Sequence, residues 1–407
     1  MSALKFKLKR IDIICVLLFF SIVKIYAIPQ IVQQIMKIVF LAIVLLFLLY
    51  KSVGKMWNEG LLLATVLTIP SFIGVFSGDL NIKIFLDGML NAIVIYSMYT
   101  FLQYVAEHNL LKRTLDGFFY LVSVACFISL ISVLRQGRAA YETGTDYEYF
   151  FGNKFATMYL FIFLVGLAYV KLYSEQKRKV KRRLILLSLI VLEIFLSYWV
   201  RCSTTMIGGI VMFFTIMFSG KRSEWIRKLM SNPVISVIYL IFPGFLALNM
   251  ASVIQIPSIQ QFITDRLGKS VSLTGRVYIY STLINTFMQK PIFGYGYNSD
   301  IVNKLTEVGN AQNGLFQMLI EFGVVGVVMV SIIVYKSFLS SRDINELWGI
   351  KVFVFAMCIC SIVEISFNYL FFLGLFILKF GYAYNPAYML SPSIKKRIKL
   401  SMQRSKI

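Results

Sequence analysis

Residues 274–300 read TGRVYIYSTLINTFMQKPIFGYGYNSD, and after a short spacer residues 311–326 read AQNGLFQMLIEFGVVG. The stretch sets a polar, arginine-bearing segment directly against a helix apolar enough to enter a membrane. It decides the reading of the whole chain, because an arginine, glycine-tyrosine turns and a Gln-Asn pair gather at one membrane boundary in a sequence otherwise built of apolar runs. Such a gathering marks the working end of an integral membrane enzyme.

Working outward, the 407-residue chain is 58% hydrophobic, and its apolar runs are long enough to cross about 30 Å of hydrocarbon. They fall at about 11–28, 31–50, 60–76, 84–103, 118–134, 155–173, 184–200, 203–219, 234–252, 311–335, 349–366 and 367–387. The expected fold is an all-α polytopic membrane protein with about twelve transmembrane helices, a single integral membrane domain over residues 1–407. The last two runs also allow one re-entrant hairpin. The first run follows Lys5, Lys7, Lys9 and Arg10 as a signal peptide would, but no small-x-small cleavage site follows, so it reads as a retained span.

A net charge of +22 would point to nucleic acid in a soluble protein. Here the cations sit between spans. With a cytoplasmic N-terminus, 28 of the 41 Lys and Arg fall on cytoplasmic segments and ten on external ones, as the positive-inside rule requires. The block Lys177 to Arg183 fixes the middle of this topology, and both termini then face the cytoplasm. Membrane lipids are the expected partner of the cations, and nucleic acid is not. The five cysteines have neither metal-ligand nor disulfide spacing and read as small core residues. No Walker loop or dinucleotide fingerprint occurs, and no metal or cofactor is expected.

Two external loops exceed a simple turn, residues 135–154 and about 253–310. The second is too long for a passive connector. Within it, Ser272 or Thr274 can cap a helix that carries Val277, Tyr280, Leu283, Ile284, Phe287 and Met288 on one face and ends before Pro291. Such a helix is expected to lie on the outer membrane surface.

Arg276 falls in the first turn of that helix, where a cation is disfavoured by the helix dipole unless an anion also binds there. Free backbone N–H groups and a guanidinium together form a phosphate or pyrophosphate site; the plainer reading is an arginine that snorkels to lipid phosphates. Arg201 stands at the external end of the seventh run, ahead of Thr204, Thr205, Gly208 and Gly209, facing either headgroups or a cavity between helices. Arg135 and Arg138 share a loop with Glu142, Asp146, Glu148, Tyr141, Tyr147 and Tyr149, a mixture that suits either sugar binding or an ordinary solvated loop. Asp87, Glu193, Glu321 and Glu364 lie within spans, where carboxylates are costly and so are functional candidates. Asp265, Asp300 and Glu307 are further external carboxylates. The one histidine, His108, falls on the cytoplasmic side. With no nucleotide site, an activated donor on the outer face must carry its own leaving group, as a lipid-linked pyrophosphate does.

Thr274-Gly275-Arg276, the Pro291 to Gly296 turn, and Gln312-Asn313-Gly314 through Leu319, Glu321, Gly323 and Gly326 resemble the signature of the O-antigen polymerase and ligase superfamily. The detailed resemblance covers about fifty residues, with hydropathy and the large late loop agreeing over the rest. It implies a metal-independent membrane glycosyltransferase acting on undecaprenyl-pyrophosphate-linked oligosaccharides at the outer face of the bacterial plasma membrane. By the same resemblance Arg276 holds the donor's pyrophosphate, and Arg201 matches, with a shifted order, an arginine at a span end. Thr274, Tyr295, Gln312, Asn313 and Glu321, with Arg135 and Arg138, are the implied substrate contacts. Gln312 stands where ligases carry a histidine, a departure that favours polymerase over ligase. The implied activity is a capsule or surface polysaccharide polymerase, working with a flippase and a chain-length regulator. A ligase of the same superfamily and a lipid-linked oligosaccharide flippase are the other readings.

Overall fold

The computed structural model describes residues 10–26, 28–52, 56–76, 82–136, 148–175, 179–218, 224–254, 256–261, 265, 276–306 and 309–384. Helices dominate them: α1 (Arg10–Ile22), α2 (Gln30–Ser52), α3 (Glu59–Phe76), α4 (Ile82–Glu107), α5 (Leu111–Gln136), α6 (Lys154–Ser174), α7 (Lys179–Trp199), α8 (Ser203–Met217), α9 (Glu224–Met230), α10 (Pro233–Ile254), α11 (Pro257–Gln261), α12 (Arg276–Gln289), α13 (Ile301–Thr306), α14 (Gly314–Ser341), α15 (Trp348–Cys360) and α16 (Tyr369–Lys379). A two-residue antiparallel pair, β1 (Glu148–Tyr149) and β2 (Gly152–Asn153), precedes α6.

Asparagine starts many of these helices. Its short side-chain carbonyl reaches an amide of the first turn that would otherwise lack a partner. Asn58, Asn153, Asn232, Asn313 and Asn368 cap α3, α6, α10, α14 and α16 in this way.

Each apolar run of the sequence coincides with one of the helices. Five, α2, α4, α5, α6 and α14, are long and apolar enough to cross a membrane unaided, and α9 with α10 forms a sixth candidate bent by 69°. The chain is an all-α membrane protein. The last two runs depart most from expectation. Residues 361–368 break the pair, leaving helices of 13 and 11 residues that rise only about 20 and 16 Å. Both are almost wholly buried, α15 between α6, α8 and α10 and α16 between α4 and α14. At the centre α6 and α15 approach through Gly166 and Gly349, where a Cβ on either would press on the other's carbonyl, the close contact that small residues permit between helices.

Charged pairs sort to one end of the bundle. Asp12 pairs with Arg113, Asp116 with Lys171 at 3.0 Å, and Glu59 with both Lys336 and Lys379 at 2.7 and 2.9 Å. The opposite end carries the β1–β2 hairpin, docked on the α1–α2 turn through Tyr26 N–H to the Phe150 carbonyl at 2.9 Å. It also carries the 291–300 loop, the starts of α12 and α14, and the 361–368 segment.

The helix expected to lie on the membrane surface is α12, and its apolar face is turned differently. Ile279, Tyr280 and Leu283 are buried with Ala247, Val302, Ala311, Phe316 and Ile320 in a second small core, while Met288 is 66% exposed. Protein covers this face, because α10, α13 and α14 all pack on it. Thr274 and Ser272, the expected caps, lie outside the described residues.

Candidate functional site

The glycines of the signature build a joint between backbone segments. Gly323 interrupts α14 with φ +63° and ψ −166°, about 14 Å from its start. Unpaired backbone at such depth is tolerated in a membrane only where protein satisfies it. The Pro291–Gly296 turn does so: Tyr295 and Gly296 donate to the carbonyls of Ile320 and Glu321 at 2.7 and 2.9 Å, and Val324 and Val325 donate to those of Pro291 and Ile292 at 2.9 and 3.2 Å. Gly294 also has positive φ, +72°, and a Cβ there would strike the α14 backbone. Tyr295 braces the turn. Its hydroxyl donates to the Thr286 carbonyl at 3.0 Å and meets Gln289 Oε1 at 3.2 Å, fastening the turn to α12.

Asn313 is also spent on the protein. It is fully buried, its Oδ1 caps α14 at the Phe316 amide at 3.0 Å, and its Nδ2 donates to the carbonyls of Pro243 and Ile362 at 3.1 and 3.0 Å. Both amide hydrogens being used, Asn313 clamps α10, α14 and the 361–368 segment together. Gln312 sits beside it at φ +48°, and its buried Oε1 has no hydrogen-bond partner. Its own carbonyl accepts from the Tyr280 hydroxyl at 3.0 Å, and Tyr280 stacks on Phe316.

The 361–368 segment is where the scattered candidates meet. Ser361 accepts from the Gly314 amide at 2.8 Å, and Cys360 donates to the Thr204 carbonyl at 3.4 Å, just beyond the turn that holds Arg201. Arg201 is exposed in that turn with φ +54°. Arg276 begins α12, one turn ahead of Tyr280; its side chain lies outside the described residues. The two arginine-bearing elements thus border one segment from different helices. Arg135 is exposed in the last turn of α5, and Arg138 lies outside the described residues.

Between these parts is a cavity of about 350 Å³ lined by Asn91, Tyr297, Asn298, Asn310, Gln317, Glu321, Asn368 and Tyr369. Glu321 is its carboxylate. Oε1 accepts from the Asn298 amide at 3.0 Å and from Gln317 Nε2 at 2.8 Å, so the 291–300 loop and α14 hold it in one orientation. Burial, with the nearby Glu321 adding to it, pushes the Tyr297 hydroxyl up to about 12, so it stays protonated and able to donate. Five amide side chains, two phenols and one carboxylate suit a polyhydroxylated ligand, which needs many directional partners on a partly apolar wall. The amides were missed in the sequence because Asn91, Asn298, Asn310 and Asn368 come from four separate elements.

Glu193 and Glu364 fall elsewhere. Glu193 is buried in α7, accepting from the Ser197 hydroxyl at 2.8 Å, and Ser197 in turn meets Thr205 at 2.8 Å beneath the Arg201 turn. Glu364 accepts from the adjacent Ile365 amide at 3.0 Å. All five cysteines are free and buried.

The helical membrane bundle thus holds a polar, carboxylate-bearing cavity lined from α3, α4, α14, the 291–300 loop and the 361–368 segment. Residues 200–331 match the model of the O-antigen ligase family, a stretch that contains Arg201, Arg276, the Pro291–Gly296 turn, Gln312, Asn313, Glu321 and Gly323. The match supports the O-antigen polymerase and ligase superfamily, whose members are glycan transferases of membranes. None of the curated proteins compared matches the chain.

Proposed function

We propose that the protein is a polysaccharide repeat-unit polymerase of the bacterial plasma membrane, making a capsule or similar surface polysaccharide. The carrying observation is the Glu321 cavity, which the signature residues themselves frame. In this reading both termini are cytoplasmic, and the cavity end faces outward. A growing chain on undecaprenyl pyrophosphate is the donor, and the nonreducing end of a new lipid-linked repeat unit is the acceptor. A flippase and a chain-length regulator would serve the same route.

The acceptor hydroxyl attacks the anomeric carbon of the donor, and the bond from that carbon to the pyrophosphate oxygen breaks, its electron pair leaving with the pyrophosphate. The hydroxyl proton passes to Glu321. Arg276 and Arg201 offset the charge that develops on the departing group, an electrostatic contribution that is often the largest single one. No metal is required. Gln312, with its unpartnered carbonyl, stands where a ligase would hold an imidazole, which favours polymerisation over transfer to a core acceptor.

The interrupted α14 and the bent α9–α10 pair favour the flippase reading, since transporters bind substrate at unwound helices. Here, however, the turn at 291–296 fills the break in α14 with its own backbone. Deleting the gene discriminates among the readings. A polymerase leaves single lipid-linked repeat units on the outer face, a ligase leaves long chains without an acceptor, and a flippase leaves single units on the cytoplasmic face.

A further inference from the structure

Beneath the α1–α2 turn lies a second cavity, of about 390 Å³, that the proposed reaction does not use. Lys24, Gln30, Gln33, Gln34, Lys37 and Asp87 line it. It abuts the Glu321 cavity, because Tyr297, Asn298 and Tyr369 line both. Three side chains therefore form the wall between a chamber rich in amides and a chamber that holds two cations.

Lys37 sets this chamber apart. Four other described lysines of the bundle helices are matched by oxygen. Lys336 and Lys379 share Glu59, Lys171 has Asp116, and Lys351 donates to the Ser231 hydroxyl at 3.2 Å and the Arg342 carbonyl at 3.0 Å. Among the described residues, Lys37 Nζ donates to one neutral group, the Tyr369 hydroxyl at 3.3 Å, stands 4.8 Å from the centre of that ring, and is acted on by the Asp87 carboxylate across the chamber. Asp87, across the chamber, faces Asn298, whose Nδ2 lies 3.5 Å from Asp87 Oδ2. An ammonium in a span without a carboxylate in contact is costly and marks a functional position. Two of its hydrogens remain for a ligand.

The surroundings say what that ligand is. Lys24 brings a second cation, three glutamine amides bring neutral donors, and the start of α2 presents the positive end of a 23-residue helix. Cations and N–H donors converging on one open space suit a phosphate or pyrophosphate, whereas a neutral sugar needs no cation. Beside the chamber Ile31, Ile35 and Ile38 are exposed along α2, an apolar track for the chain of a lipid whose headgroup enters the cavity.

Resting on the polymerase reading, we propose that this chamber holds the pyrophosphate of the acceptor lipid, whose saccharide passes Tyr297 and Tyr369 into the Glu321 cavity. A reaction between two lipid-linked molecules needs two such sites, and Arg276 serves only the donor's.

The test is a titration of the purified full-length protein, in nanodiscs of phosphatidylcholine, with undecaprenyl pyrophosphate, the number bound being read by native mass spectrometry. Wild type should bind two, and Lys37→Gln should weaken one of them roughly tenfold or more while Arg276→Ala weakens the other. Gln33→Glu, which sets a negative charge on a partly exposed position of the chamber, should weaken the same molecule as Lys37→Gln and guards against a folding defect in that variant. Inorganic pyrophosphate should compete for it and undecaprenol should not. The proposal is overturned by a single bound molecule lost in Arg276→Ala but kept in Lys37→Gln and Gln33→Glu, a result that leaves the donor site standing. Displacement of the second molecule by phosphatidylglycerol would also overturn it, assigning the chamber to ordinary anionic lipid. No binding by wild type would remove this proposal and the polymerase reading together.

Discussion

The backbone amide of Gly296 donates to the carbonyl of Glu321 at 2.9 Å, and two residues on the amide of Asn298 donates to the Glu321 side chain at 3.0 Å. One loop thus grips the same residue by main chain and by carboxylate. The break in α14 and the placement of the cavity's acid are consequently a single structural event.

Gly323→Ala tests that joint. At φ +63° and ψ −166° the backbone lies in a region essentially reserved for glycine, costing an L-residue about 1–3 kcal/mol, and the added Cβ would run into the Ile292 carbonyl. The expected outcome is a fall of about 2 kcal/mol or more in stability, measured as a lower thermal midpoint in detergent, together with loss of polymer. Gly117→Ala, at a helical glycine of α5 where an added Cβ meets nothing within 4 Å, leaves the joint untouched and serves as the comparison.

Asn313→Ala removes a helix cap, worth about 1 kcal/mol, and strands two buried carbonyls at about 1–3 kcal/mol each. Stability and product yield should fall together. Were the protein to keep its thermal midpoint and lose only activity, Asn313 would be a substrate contact and not a clamp.

Glu321→Gln keeps the shape and an oxygen to accept from Asn298, but removes the carboxylate. The protein should remain folded with an unchanged thermal midpoint, while turnover drops by about 10²- to 10⁴-fold, the range for loss of a general base. An active Glu321→Gln variant would reassign the proton to another group.

Much of this was legible in the sequence, and particular residues show why. The twelve apolar runs all became helices, because long apolar segments in a membrane satisfy their backbone only that way. Pro291 ended α12 as expected, and the described signature residues from Pro291 to Gly296 meet those around Gly323 in one joint. The face of α12 was not legible, since Ile279 and Leu283 fit a protein groove and a lipid surface equally well by composition. The roles of Tyr295 and Asn313 were also hidden, because a polar residue in a motif looks the same whether it meets a substrate or the Thr286 and Ile362 carbonyls. Lys37 passed as one cation among many in a basic chain; only its lack of a contacting carboxylate, a property of the fold, set it apart.

Arg276→Lys offers a further separation of charge from shape. An ammonium keeps the charge but lacks the two-pronged guanidinium contact, so polymer should be strongly reduced although protein abundance in the membrane is unchanged. Full activity in Arg276→Lys would mean that a point charge suffices there.

The most direct measurement uses the purified protein in lipid, supplied with the synthetic undecaprenyl-pyrophosphate repeat unit of its own pathway, with product length read on a gel beside Arg276→Ala. The account predicts a ladder from wild type and single units from the variant, a loss of about 10²-fold or more in rate. A wild type that makes no ladder from substrate shown to be competent, or an Arg276→Ala protein that makes the same ladder, would contradict it.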